Sequence, residues 1–123
     1  MIRRAFTMRL KPGAMPEYVR HHDSIPTRWA ALAAEIEKSG IARIVTFAAA
    51  GDSPQLFLYS EIHDEAAWTK LWDSAIHREW GMLMEPLMQF KDGKVDASPL
   101  TEIFRLETRL AGSPPAATSQ GMR

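Results

Sequence analysis

The sequence predicts an α+β fold of the ferredoxin-like kind, with the element order βαββαβ, on three observations. Apolar residues alternate with polar ones near the start, and two later runs, 41–50 and 55–62, are rich in β-branched and aromatic residues. Two segments between these runs, 14–39 and 64–88, carry apolar residues at three- and four-residue spacing instead. A short apolar run at 100–106 follows the second of them. That order makes a four-stranded antiparallel sheet with helices on one face. The second face, bearing Phe, Met, Ile and Val, is too apolar to leave in water. The expected solution is a dimeric α/β barrel in which two sheets pack face to face about a two-fold axis.

The elements follow in order. Ile2, Phe6, Met8 and Leu10 alternate with Arg3, Thr7 and Arg9, the period of a half-buried strand, and Arg4 is the exception on the apolar side. Lys11-Pro12-Gly13 stops it. The first helix covers 14–22 and is broken by Asp23-Ser24-Ile25-Pro26, since proline disfavours helical geometry in the residue before it. A second helix, 27–39, spaces Trp29, Leu32, Ala33 and Ile36 along one side and ends at Gly40, which accepts a left-handed cap. Strands at 41–50 and 55–62 flank the hairpin turn Gly51-Asp52-Ser53-Pro54. Asp64 is an N-cap candidate for the helical region 64–88, where Asp73-Ser74 can end one piece and cap the next. Residues 90–99 form a polar connection to the last strand, 100–106. Residues 1–107 then make one domain. The Ala/Gly/Ser/Pro-rich tail, 108–123, buries too little apolar area to offset its ordering entropy.

Composition narrows the function. The 123 residues are 46% hydrophobic, enough for a core, and 15 basic residues balance 15 acidic ones at a pI near 6.9. A nucleic-acid partner normally needs a basic excess, so none is expected. Cysteine is absent, which excludes disulfides and thiolate chemistry and suits a reducing cytoplasm. The arginine-interrupted N-terminus is no signal peptide, and no apolar run is long enough to cross a bilayer, so no membrane partner is expected.

One stretch carries chemistry: Glu17-Tyr18-Val19-Arg20-His21-His22. Tyr18 and His22, four apart, share one helix face. They pair an imidazole that titrates near neutrality with a phenol that can donate or accept a hydrogen bond. The bland alternative is that both are half-buried packing residues. His21 is expected to be solvated, His63 to neighbour a cap, and His77 to sit on a charged surface. Trp29, Trp68 and Trp72 are assigned to the core, and the methionines to adaptable filler.

The opening Met-Ile-Arg-Arg-Ala-Phe, the Tyr-x-x-x-His at 18–22, Trp68, the Trp80-Gly81-Met82-Leu83-Met84 run and the closing Leu-Thr-Glu-Ile-Phe-Arg-Leu together resemble the L-rhamnose mutarotases. The resemblance covers residues 1 to about 106. It implies a small homodimeric ferredoxin-like enzyme, free of metal and organic cofactor, that interconverts the α and β anomers of L-rhamnose or a related deoxysugar. By the same resemblance His22 is the proton donor, and Tyr18, Ile44, Trp80 and Gly81 occupy substrate-binding positions. Ile44 stands where well-known members carry tyrosine, and Gly81 where they carry a second aromatic residue. The residues leave the complementary base open among a sugar hydroxyl, Tyr18, water or a partner-chain group. Two other readings suit such a fold: a cofactor-free monooxygenase, and a non-catalytic ligand-binding module. The Tyr18/His22 pair with Trp80 favours the mutarotase.

Overall fold

A computed structural model describes residues 1–112. Strand β1 (Ile2–Arg9) leads into α1 (Met15–Asp23), the single turn α2 (Ile25–Arg28) and α3 (Ala30–Ser39). Strands β2 (Ile41–Ala48) and β3 (Gln55–Ile62) follow, then α4 (Ala67–Trp72), α5 (Ala75–Met84) and a 3-10 turn, Glu85–Leu87. The two-residue strands β4 (Phe90–Lys91) and β5 (Lys94–Val95) form a separate hairpin, before β6 (Ser98–Leu100) and a last turn, α6 (Arg109–Gly112). The main sheet has the order β2-β3-β1-β6 and is antiparallel throughout, which is the expected ferredoxin-like topology.

Register divides the sheet cleanly. Ile2, Arg4, Phe6 and Met8 stand opposite Ile62, Ser60, Leu58 and Leu56, and those four β3 residues are all buried. This is the face the helices cover, and Leu10, Leu32, Ala67 and Leu71, each at most 2% exposed, complete the core between the layers. The other face is built in rows. Val45, Tyr59, Ala5 and Leu100 form one; Phe47, Phe57, Thr7 and Ser98 form the next; Arg43, Glu61 and Arg3 form a charged one. Glu102 extends that last row, with an oxygen 3.2 Å from Arg3. This second face is therefore apolar in its middle and charged at one end, although Met8, Phe6 and Ile44 turn to the helices.

Local signals explain most boundaries. Gly40 closes α3 with φ of 102°, the left-handed cap its sequence position called for. The Ser74 side chain accepts from the His77 backbone N–H at 3.2 Å and caps α5. Four details differ from expectation. Pro26 starts α2 rather than only ending α1, because a first-turn proline has no intrahelical donor to lose, and the second helix therefore breaks at Trp29. Asp64 precedes α4 by two further residues and instead accepts from the Ala66 N–H at 2.7 Å, with Lys70 on its other oxygen. The connection at 90–99 contains a hairpin whose Asp92-Gly93 turn has φ of 54° and 79°, the two positive angles that match strand twist.

The largest difference is the last strand. Only Ser98–Leu100 pairs with β1, and residues 101–108 run without regular structure. Ile103, Phe104 and Leu106 are 91%, 79% and 73% exposed. Glu102 holds Arg3 by its side chain, but the apolar residues beyond it meet no second layer within one chain, so nothing favours continuing the ladder. Of the expected tail, residues 109–112 form α6 and 113–123 lie outside the described residues.

Candidate active site

Tyr18 and His22 are one turn apart on α1, as their spacing requires, and their rings stack at 4.1 Å with 30° between planes. His22 Nδ1 lies 2.9 Å from the Tyr18 carbonyl oxygen. A carbonyl only accepts, so Nδ1 carries the hydrogen and donates. That leaves Nε2 as the lone-pair nitrogen of the neutral ring. The tautomer suited to proton transfer at Nε2 thus follows from a backbone bond inside the helix.

Helix α5 brings in Trp80. The indole is buried, edge-on to His22 at 5.1 Å, and equally close to Trp29 on its other contact. Trp29 was not expected here. It sits at the α2–α3 junction with φ of −120° and ψ of 40°, outside the helix whose apolar side it was assigned to. Its helical spacing in the sequence looked like core, and no local signal distinguished it. Gly81 is half-buried beside Trp80, and a Cβ there would meet only Glu85 Oε2, at 3.7 Å. Ile44 lies opposite Ser60 on the helix-covered face and packs against the buried core to which Tyr18 and Trp80 belong.

The cluster leaves polar atoms unpaired. Of the tyrosine hydroxyls and indole N–H groups, those of Tyr59 and Trp68 have side-chain partners among the described residues. The Tyr18 hydroxyl, the Trp80 N–H and His22 Nε2 have none there, although Tyr18 is 7% and Trp80 6% exposed. Buried polar groups are normally satisfied, so two of them beside the half-buried Nε2 call for a hydrogen-bonding ligand.

Burial pushes the Tyr18 phenol up to about 12, so it keeps its hydrogen at neutral pH and acts as a donor, not as a base. Burial favours the neutral ring and lowers His22, outweighing its bond to the Tyr18 carbonyl, which favours the charged ring. His77 is lowered by burial as well. It is half-buried against Trp72, with ring centroids 4.4 Å apart, rather than solvated. His21 pairs with Glu17 at 3.3 Å, and exposed His63 donates its backbone N–H to the Gly40 carbonyl.

These two lowered histidines set a pH dependence. In the unfolded chain both take up protons near pH 6.5, before the folded chain does. Their contribution to stability is therefore complete above about pH 6.5 and is lost as pH falls through the lower folded values. The urea midpoint should fall between pH 7 and pH 5, and less steeply in His77→Gln. A flat midpoint over that range would contradict the burial of both rings.

Among the described residues no group of three or more His, Asp or Glu side chains is placed to hold a metal ion, and no helix is long and apolar enough to cross a membrane. An open cleft of about 400 Å³ lies elsewhere, between α4, β1 and β6; none of Tyr18, His22, Ile44, Trp80 or Gly81 lines it.

The topology and the histidine held among aromatic rings define a ferredoxin-like α+β protein. Solved structures agree. An L-rhamnose mutarotase from Formosa agariphila superposes with a TM-score of 0.70 at 24% identity, over 87% of this chain and all of that one. A dimeric ferredoxin-like protein from an uncultured marine organism gives 0.55 at 13% identity, over 87% of this chain and all of its own. At these identities the likeness concerns the fold. Sequence goes further: the family model for L-rhamnose mutarotase matches residues 3–106. The L-rhamnose mutarotase of Tolumonas auensis is 37% identical over 86% of this chain and 99% of its own length. That of Oceanobacillus iheyensis is 32% identical over 87% and 100%. The chain belongs to the L-rhamnose mutarotase family, a family of carbohydrate isomerases.

Proposed function

We propose that this chain interconverts the α and β anomers of L-rhamnose, with His22 Nε2 as the proton-transfer atom. The observation that carries this reading is the set of three unpaired polar atoms around a neutral imidazole. Nε2 takes the proton of the anomeric hydroxyl, and the bond from C1 to the ring oxygen breaks as that hydroxyl oxygen becomes the aldehyde. The imidazolium returns the proton to the former ring oxygen, which ends as a hydroxyl. Rotation about C1–C2 presents the other aldehyde face, and the reverse steps close the ring. One imidazole serves both oxygens because both are bonded to C1 in the closed ring.

Tyr18 donates to a sugar hydroxyl, and Trp80 offers its N–H together with an apolar ring for the methyl and C–H face of a 6-deoxysugar. Ile44 and Gly81 complete the substrate side. Saturation-transfer NMR on L-rhamnose should show anomer exchange faster with protein than without. Exchange at the uncatalysed rate with folded protein would overturn the assignment.

The working unit is a homodimer. Phe47, Phe57 and Leu100, at 64%, 38% and 46% exposure, share the bare face, and the exposed arm at 103–106 adjoins it. A second copy with its sheet face to face covers these rows. Sedimentation should give about twice 13.9 kDa, and Phe47→Glu with Phe57→Glu should give single chains. A wild-type monomer at micromolar concentration would refute the pairing. A chain without cysteine fits a reducing compartment, and its place is the cytoplasm.

A further inference from the structure

Two residues that break the sequence pattern meet at the cleft between α4, β1 and β6. Arg4 is the charged residue on the helix-covered face of β1, and Trp72 is 47% exposed rather than in the core. Both line the cleft, with Phe6 and Trp68. The Trp68 wall is fixed: its indole N–H donates to Ser60 Oγ at 2.9 Å, and Ser60 donates to the Arg4 carbonyl at 2.9 Å. Phe6 braces the Trp68 ring edge-on at 5.3 Å, and His77 braces Trp72. At one rim the Arg4 guanidinium meets Glu65 at 2.6 Å, with both side chains largely in water.

We propose that this cleft is a second binding site, taking a neutral pyranose sugar. Its volume, about 400 Å³, lies within the roughly 300–1,000 Å³ of small-molecule sites. The walls are mostly apolar and include the three rings of Phe6, Trp68 and Trp72, which suits the C–H face of a sugar ring. The polar groups suit its hydroxyls. Glu65 and Arg4 neutralise each other, which disfavours a charged ligand. Five guanidinium hydrogens are only partly used by Glu65 and the Arg3 carbonyl, leaving donors beside carboxylate acceptors. Thr69 lines the same cleft, and its hydroxyl takes no side-chain hydrogen bond among the described residues. The cleft opens on the helix side of the sheet, opposite the face that the dimer covers, so pairing leaves it accessible.

The choice of L-rhamnose as probe rests on the proposed function, but the readout does not need turnover. The chain has four tryptophans, and each gives one indole N–H signal in a nitrogen-edited spectrum. On titration with L-rhamnose, the Trp68 and Trp72 signals should move saturably in wild type and in His22→Ala alike. Trp72→Ala should weaken the response of Trp68 roughly tenfold, the scale of one lost aromatic contact, and leave anomer exchange unchanged. Three outcomes overturn the second site. The first is movement confined to Trp80 and Trp29. The second is a shift of Trp68 and Trp72 with cyclohexanol but not with L-rhamnose, marking a merely apolar groove. The third is uncovering of the two signals on dilution of the dimer, showing that a second chain fills the cleft. Failed exchange with saturable Trp72 shifts would sink the mutarotase reading and leave this site standing.

Discussion

His22→Ala is expected to return L-rhamnose anomer exchange to near the uncatalysed rate while the protein stays folded. General acid–base help is worth about a hundred- to ten-thousand-fold, and no second group in the cluster can replace it. Tyr18 is held as a neutral phenol with its value pushed up to about 12, too weak a base at neutral pH. Trp80 has only an N–H donor. The ring is half-buried and its one protein hydrogen bond is to the Tyr18 carbonyl within α1, so its loss removes one side-chain contact to the helix backbone and leaves the sheet untouched. Wild-type exchange should also slow as pH drops below about 6.5, because the working atom is the lone pair on Nε2 and protonation occupies it. The lowered value of His22 places the midpoint of that loss on the acid side of an ordinary histidine. Retention of more than a tenth of the wild-type acceleration in a folded His22→Ala would remove the imidazole from the mechanism. Tyr18→Phe is the companion variant. It keeps the stacked ring, removes one donor to the sugar, and should raise KM more than it lowers kcat.

Trp80→Ala should be the most destabilising change at this site, and the two effects of losing the indole can be separated. The ring is 6% exposed and touches both His22 and Trp29. Emptying such a position costs about 3–5 kcal/mol, a large part of the 5–15 kcal/mol that holds a domain of this size together. The variant should unfold at a much lower urea concentration, and activity measured on it reports mostly unfolded protein. Trp80→Phe discriminates. It keeps an aromatic ring near His22 but deletes the N–H, which has no side-chain partner among the described residues, so the protein loses little hydrogen bonding of its own. Weaker L-rhamnose binding with only a modest loss of stability is the expected result. An unchanged KM in Trp80→Phe would show that the N–H meets no hydroxyl. A cost below about 1 kcal/mol in Trp80→Ala would deny the indole its place in the core.

The fold order was readable because each element carries its own period and its own stop. Gly40, Ser74 and the alternation of β1 act over a few residues, and those parts of the chain needed no partner to declare themselves. The Tyr18–His22 pair was readable for the same reason, since one helical turn sets both the stacking and the bond that fixes the tautomer. Trp80 was singled out through resemblance rather than spacing, and nothing local could have placed it against His22. That contact exists because the tertiary packing brings α5 against α1. Trp29 and Trp72 show the limit most plainly. Both recur at apolar spacing, yet one packs edge-on to Trp80 and the other faces a solvent cleft, because a helix break at Pro26 and the edge of the α4 layer turn them.

The same division explains the last strand. The short apolar run at 100–106, with Ile103, Phe104 and Leu106 as its bulk, predicts an extended segment with an apolar side to cover. Whether such a segment joins a ladder depends on what stands opposite that side, and a single chain offers it nothing beyond Leu100. By itself, then, the sequence determined what is local: the element order, the caps, the neutral charge balance and the imidazole–phenol pair. Only the tertiary structure decided what is joint: which indole meets the imidazole, which one is left in water, and which apolar surfaces stay bare. Those outcomes depend on the relative positions of whole layers, and burial is a property of neighbours that no short stretch of chain carries alone.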